Sequence, residues 1–291
     1  MNEFQIFIDQ LQKELSEHFG NSYRVTVTET EKNNGAVRYG VMISDGKTNL
    51  SPTVYLEELY RQYTEGKTLC EVMGEVIRIY EGTKAEKKVD VRFLTDFSRI
   101  RDRIVYRLFG YESNRRRFAG VPHIRFLDMV LVCYLILGDE TAEDAAVLVT
   151  AGLCRLWGID GETLFDLAER NTPRLFPVRL LDMRSLTGQK ESYMYVVTNQ
   201  KAMYGAGCIL YPGVPEQFAE KTDSSFYILP SSVHEMLLIP DRLPFCAEKF
   251  GGIVREMNRR YVEPTEILTD SVYYYDKEKE KILLLDNSEN L

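Results

Sequence analysis

Histidine, tryptophan and closely spaced cysteines are scarce in this chain of 291 residues, and each shortage removes a class of chemistry. There are three histidines (His18, His123 and His234), one tryptophan (Trp157) and five cysteines. Cys70, Cys133, Cys154, Cys208 and Cys246 lie far apart, and no two form the C-x-x-C pair of a structural zinc site. His234-Glu235 begins like the zinc-peptidase H-E-x-x-H, but Leu238 stands where the second histidine belongs. No phosphate-binding G-x-x-x-x-G-K-[ST] loop is present. Gly205-Ala206-Gly207 lacks the third glycine of a dinucleotide fingerprint. The expectation is therefore no cofactor and no metal. Long apolar runs are missing too. The longest, Met129 to Leu137, is about half the roughly 20 residues that a membrane span needs.

Positive charge is in the minority. Lys and Arg number 36 against 44 Asp and Glu, a net charge of −8. That balance argues against broad nucleic-acid binding and leaves room for a local basic patch. The first twenty residues carry no basic region followed by a long apolar stretch, so a signal peptide is not expected. With separated, mostly apolar-flanked cysteines, the reading is a cytoplasmic protein with free thiols and no membrane segment.

Hydrophobic spacing outlines the elements. Phe4, Phe7, Ile8, Leu11 and Leu15 mark an amphipathic helix. Two alternating runs flank Asn34-Gly35, a hairpin signal, because both residues tolerate the positive φ of a tight turn. Helices are expected from Ser51-Pro52 onward and over residues 69–80, before a charged linker at 81–90. A helix over 93–104 leads into a strand, RIVYRLF. The apolar segment 126–137 reads as another strand. GETLFDLAERN reads as a helix stopped by Thr172-Pro173. The last third alternates: strands at SYMYVVTN, GAGCILYP, SFYILPSS and HEMLLIPD, helices at PEQFAEK and 245–260, and a closing hairpin around DKEKEK. In Tyr273-Tyr274-Tyr275, alternation implies one exposed face. The fold class is α+β: a mainly antiparallel sheet with helices, an N-terminal helix plus hairpin, and a C-terminal hairpin. Residues 1–85 form an N-terminal helix-hairpin-helix region and 86–291 a C-terminal α+β region, or the two make one continuous domain.

Several segments carry a family likeness. They are KNNG with its following strand, PTVYLEELYRQYTEG, GVPHIRFLDMVLV, LWGIDGETLFDLAERNTPRLFP, GAGCILYP and, most specifically, ILPSSVHEMLLIP. Together they resemble an uncharacterised family of Clostridia-type Firmicutes, domain of unknown function family 5688. The order of C-terminal elements is more weakly similar to the YtpQ-like family. The resemblance implies a bacterial cytosolic protein and transfers no catalytic residue.

Two clusters remain as candidate sites. Ser231-Ser232-Val233-His234-Glu235 offers the residue types of a nucleophile, a base and an orienter in Ser232, His234 and Glu235, with His123 from a distant segment. No G-x-S-x-G elbow surrounds either serine. In an extended chain Ser232 and His234 share a face that Glu235 does not. The plainer reading is a turn whose hydroxyls bond the backbone. The second cluster is the stretch 99–125. Arg99, Arg101, Arg103, Arg107, Arg115, Arg116, Arg117 and Arg125 face only Asp102 and Glu112 there, with aromatics interleaved. Arginine with aromatics binds phosphates and stacks bases. Arg99, Arg103, Arg107, Arg115, Arg116 and Arg117 are the nucleic-acid candidates. Trp157 reads as a core anchor. The favoured function is a non-enzymatic interaction or regulatory protein with a protein partner. A hydrolase or metal enzyme on the Ser232/His234/Glu235 segment is the alternative, and a weakly nucleic-acid-binding accessory protein is the second.

Overall fold

Asn2 opens the chain's first helix by accepting a hydrogen bond from the Phe4 N–H, so α1 (Glu3–Phe19) begins where its apolar stripe does. The computed structural model describes residues 2–46, 51–83, 91–137, 146–184, 193–242 and 249–285. They fall into two compact units, Met1–Arg92 and Phe93–Leu291. Every strand pairing among the described residues is antiparallel, and the class is α+β.

In the first unit, α1 precedes the hairpin of β1 (Arg24–Glu31) and β2 (Val37–Ser44). Asn34 and Gly35 both hold positive φ at its turn, 60° and 69°. The helix expected at Ser51-Pro52 starts later. Thr53–Tyr55 is a third strand, β3, on the far edge of β2, and α2 begins at Glu57 and runs to Thr64. Thr53 and Val54 are β-branched, and the β2 edge offers their backbone partners. Helix α3 (Leu69–Thr83) buries Val72, Val76 and Tyr80 in a core with Phe7, Leu11 and Leu15. Most of the charged 81–90 segment lies outside the described residues.

The second unit begins with short helical turns that include α4 (Phe97–Ile100), then β4 (Ile104–Gly110) and α5 (Tyr111–Asn114). The apolar segment 126–137 is not one strand. It holds the end of β5 (His123–Phe126), a two-residue turn and β6 (Met129–Ile136). Leu127 takes φ 57° in that turn, and Asp128 beside it accepts from Ser271 Oγ at 2.7 Å and from the Tyr273 hydroxyl. β6 is central, with β4 on one side and β5 and β7 (Ala146–Leu148) on the other. Helix α6 (Ala151–Trp157) follows, and Trp157 is buried with its Nε1–H donated to the Leu94 carbonyl at 2.7 Å.

Thr172-Pro173 does not stop the next helix. α7 runs from Gly161 to Leu175 with Pro173 inside it. Proline removes one helical donor, and here the neighbouring side chains join the helix to the free edge of β4. The Thr172 hydroxyl donates to the Ala168 carbonyl and accepts from the Tyr106 N–H at 3.0 Å. Asn171 donates to the carbonyls of Arg101 (2.8 Å) and Ile104 (3.0 Å).

The remaining strands form a six-stranded sheet in the order β13-β12-β10-β11-β9-β8. They are β8 (Val178–Asp182), which the spacing does not signal, β9 (Tyr195–Asn199), β10 (Phe226–Ser232), β11 (Glu235–Pro240), β12 (Val272–Asp276) and β13 (Lys281–Leu285). Helices α8 (Val214–Thr222) and α9 (Phe250–Tyr261) also belong to this unit. GAGCILYP, expected as a strand, is instead a buried 3-10 helix over Gly205–Leu210. Gly205 to Ile209 are all buried, so their run does not reflect strand alternation. The tyrosine triplet corrects another expectation. Tyr273 and Tyr275 are buried, and Tyr274 is half-buried with its hydroxyl on Asp241 at 2.6 Å, so no face of it lies open.

Candidate functional site

Pro230 has no N–H to donate, and β12 has already ended alongside β10 when the chain reaches it. The register shifts between Pro230 and Ser232, and Val233-His234 then make the turn into β11. Ser232 and Glu235 face each other as the last paired residues, so the segment is a hairpin tip and not an extended run.

The polar atoms at this tip hold the tip itself. Ser232 Oγ accepts from the N–H of His234 at 3.0 Å. Ser231 Oγ donates to Glu235 Oε1 at 3.1 Å. His234 Nδ1 accepts from the backbone N–H of Tyr204 at 3.0 Å. A nitrogen that accepts carries no proton, so the neutral ring has its hydrogen on Nε2. Nε2 faces Glu266 Oε1 at 3.7 Å, beyond hydrogen-bond range. No serine hydroxyl meets the imidazole in this arrangement, so base and nucleophile are not paired. Glu235 is bonded to Ser231 and does not orient the ring.

The surrounding backbone locks the tip in place. The Thr198 hydroxyl donates to the His234 carbonyl at 2.8 Å, the Val233 N–H to Glu266 O at 2.7 Å, and the Ala206 N–H to Val233 O at 3.2 Å. Gly205 is wedged in between. A Cβ there would lie 2.6 Å from the Asn199 nitrogen, 2.7 Å from the His234 oxygen, and against Thr198 Oγ1. Buried Asn199 shapes the approach. Its Oδ1 accepts from Lys201 N–H at 3.0 Å, and its Nδ2 donates to Met203 O at 2.7 Å. That Asx-type turn delivers Tyr204 in a left-handed conformation, φ 51°, with its ring centroid 5.3 Å from that of His234.

Tyr204 also links the tip to the arginine stretch. The Arg107 guanidinium lies between two rings, 3.8 Å from the centroid of Tyr204 and 4.4 Å from that of Tyr134. Arg117 donates to the Tyr134 hydroxyl at 3.2 Å and lies over Phe118. Arg125 stacks on Tyr111 at 4.0 Å. Arg99 pairs with Asp96 at 3.2 Å and Arg101 with Asp102 at 3.9 Å, while Arg103 reaches the Leu137 carbonyl at 3.4 Å. Arg115 and Arg116 differ. They are exposed, and their side chains make no ion pair, hydrogen bond or ring contact among the described residues.

His123 sits apart from this cluster on exposed β5. Its Nδ1 lies 2.8 Å from the Val121 carbonyl, which only accepts, so Nδ1 carries the proton. The ring neighbours Tyr111 at 6.1 Å between centroids. Among the described residues no three His, Cys, Asp or Glu converge as a metal site, and no helix is long and apolar enough to cross a membrane. Cys133, Cys154 and Cys208 are buried free thiols and Cys70 is an exposed one, while Cys246 lies outside the described residues. Burial pushes the Cys208 thiol up to about 12, away from reactive thiolate chemistry. Sequence reasoning missed Tyr204, Tyr134 and Glu266 around the tip. Asn199 at a strand end was the one local sign of the turn that places Tyr204.

Fold and site together define a two-unit α+β protein whose Ser-His-Glu cluster is a hydrogen-bonded hairpin tip backed by stacked arginines. A family model, described as a family of unknown function (DUF5688), matches residues 4–277, and the chain belongs to that family. No curated protein matches the chain. No solved structure matches it either.

Proposed function

We propose that this chain is a non-enzymatic, cytosolic interaction or regulatory protein of a Firmicutes-type bacterium. The observation that carries the reading is the direction of the polar atoms at the hairpin tip. Ser232 accepts from a backbone N–H, His234 accepts from another, and Ser231 donates to Glu235. A hydrolytic site needs a hydroxyl within reach of an unengaged imidazole nitrogen. The free thiols among the described residues support a reducing compartment.

A second reading, polyanion binding, is favoured by exposed Arg115 and Arg116, which have no acidic partner among the described residues. Such contact needs only positive charge, so it is weak, sequence-independent and steeply salt-sensitive. Affinity capture from the native bacterium tests the first reading. A defined partner retained by the wild-type chain and by His234→Asn supports a binding function that does not need the imidazole as a base. Turnover of a captured small molecule, lost in His234→Asn, overturns it. Titration with single- and double-stranded oligonucleotides at low salt tests the second reading. Binding abolished in an Arg115→Glu, Arg116→Glu double variant supports it, and no binding removes it.

A further inference from the structure

A groove in the second unit lies between the turn of its four-stranded sheet and the far end of the six-stranded one. Its volume is about 320 Å³, within the range of small-molecule pockets. The lining is largely apolar and aromatic, with Phe126, Leu210, Tyr211, Tyr275 and Ile282 among its walls. Pro212 and Pro215 stiffen one side of it.

One group there is out of keeping with an apolar groove. Glu216, in the first turn of α8, lines the groove. Its Oε2 is buried and has no hydrogen-bond partner among the described residues. A carboxylate oxygen removed from water without a donor is costly, and folded proteins rarely leave one so. Tyr275 beside it responds to the same field. Burial, together with the charges of Glu216 and Glu280 and a hydrogen bond to the Glu216 carboxyl, pushes its hydroxyl up to about 12, so it stays a neutral donor and brings no positive charge to the groove. Lys281 lines the groove too, but it is exposed, so its ammonium can stay in water.

We propose that this groove binds a small organic cation, a protonated amine carried on an apolar body about the size of an aromatic ring. The ammonium donates to Glu216 Oε2, and the body packs among the aromatic and aliphatic walls. Aromatic faces favour such a cation as well. A metal ion is a poorer fit, since no three ligating side chains converge among the described residues.

The test uses the full chain and two probes of matched shape, 2-phenylethylamine and 2-phenylethanol, titrated by two-dimensional amide NMR at neutral pH. The expected result is an amine bound about tenfold or more tighter than the alcohol, because only the amine makes a charge-assisted hydrogen bond. In Glu216→Gln that preference is expected to vanish while weak binding of both probes remains. The comparison of probes on the wild-type chain stands by itself should the variant fold poorly. Equal binding of the two probes overturns the proposal. So does a preference that persists in Glu216→Gln, or no shift of groove resonances with amine at roughly 10 mM, near the weakest affinity expected of a ligand this small.

Discussion

Replacing His234 with alanine removes an acceptor that a backbone donor depends on, and the cost follows from the geometry. The Tyr204 N–H loses its partner at 3.0 Å. An unsatisfied donor costs about 1–3 kcal/mol, and half-buried Tyr204 places this one in the lower half of that range. Loss of the ring contact at 5.3 Å adds roughly 0.5–1 kcal/mol. The sum is about 2 kcal/mol, felt in a region where Tyr204 is already held at positive φ. For a unit of this size each kcal/mol lowers the melting temperature by about 2–4 °C, so His234→Ala is expected to melt roughly 4–8 °C below wild type. His234→Asn, whose side-chain oxygen offers an acceptor near the place of Nδ1, should recover about half of that loss. Urea denaturation of the two variants beside wild type provides the free energies. A His234→Ala change smaller than about 0.5 kcal/mol would refute the view that the imidazole anchors the Tyr204 turn.

Gly205→Ala should destabilise by about 3 kcal/mol or more, since two of the atoms its methyl meets are backbone and cannot rotate away; a stable variant in urea melts would contradict the wedge. Thr172→Val keeps the shape but leaves the Tyr106 N–H without an acceptor, so about 1–3 kcal/mol is expected to be lost, measured the same way. Alkaline pH should weaken the fold. Burial raises Cys208 from 9.0 to about 12, and burial with nearby carboxylates raises Tyr275 from 10.0 to about 12. Both groups are neutral when protonated, so the unfolded chain releases protons first. Their contribution is complete below pH 9 and falls as pH climbs toward 12; a urea midpoint that stays flat from about pH 8 to 11 would oppose this.

What the sequence revealed follows from which interactions are local. α1, the Asn34-Gly35 hairpin and the closing β12–β13 hairpin depend on spacing and turn chemistry, and their residues announce them. Pro173 misleads because its helix is held by a long-range contact, the Thr172 hydroxyl on Tyr106 of β4. Gly205–Leu210 misleads because burial of Gly205 to Ile209 without a break erases the alternation that separates a strand from a compact turn. Thr53–Tyr55 is too short to show a period, and pairing with β2 makes it a strand. At the candidate site, Ser231, Ser232, His234 and Glu235 stand adjacent in the sequence. Their partners Tyr204, Thr198 and Glu266 come from elsewhere and decide what the cluster does. The arginine stretch was legible as charge. Its division into stacked Arg107 and Arg117 and, among the described residues, unpaired Arg115 and Arg116 was not, because Tyr134 and Tyr204 supply the rings.

If the Ser232–His234–Glu235 tip maintains structure, its serines carry no activated hydroxyl. Incubation of the native chain with a fluorophosphonate, followed by intact-protein mass spectrometry, tests it most directly. Such reagents react with a serine whose hydroxyl is activated by a neighbouring base. The account predicts no adduct on Ser232, because its oxygen accepts from the His234 N–H and does not meet the imidazole. An adduct that maps to Ser232 and disappears in His234→Ala would contradict it.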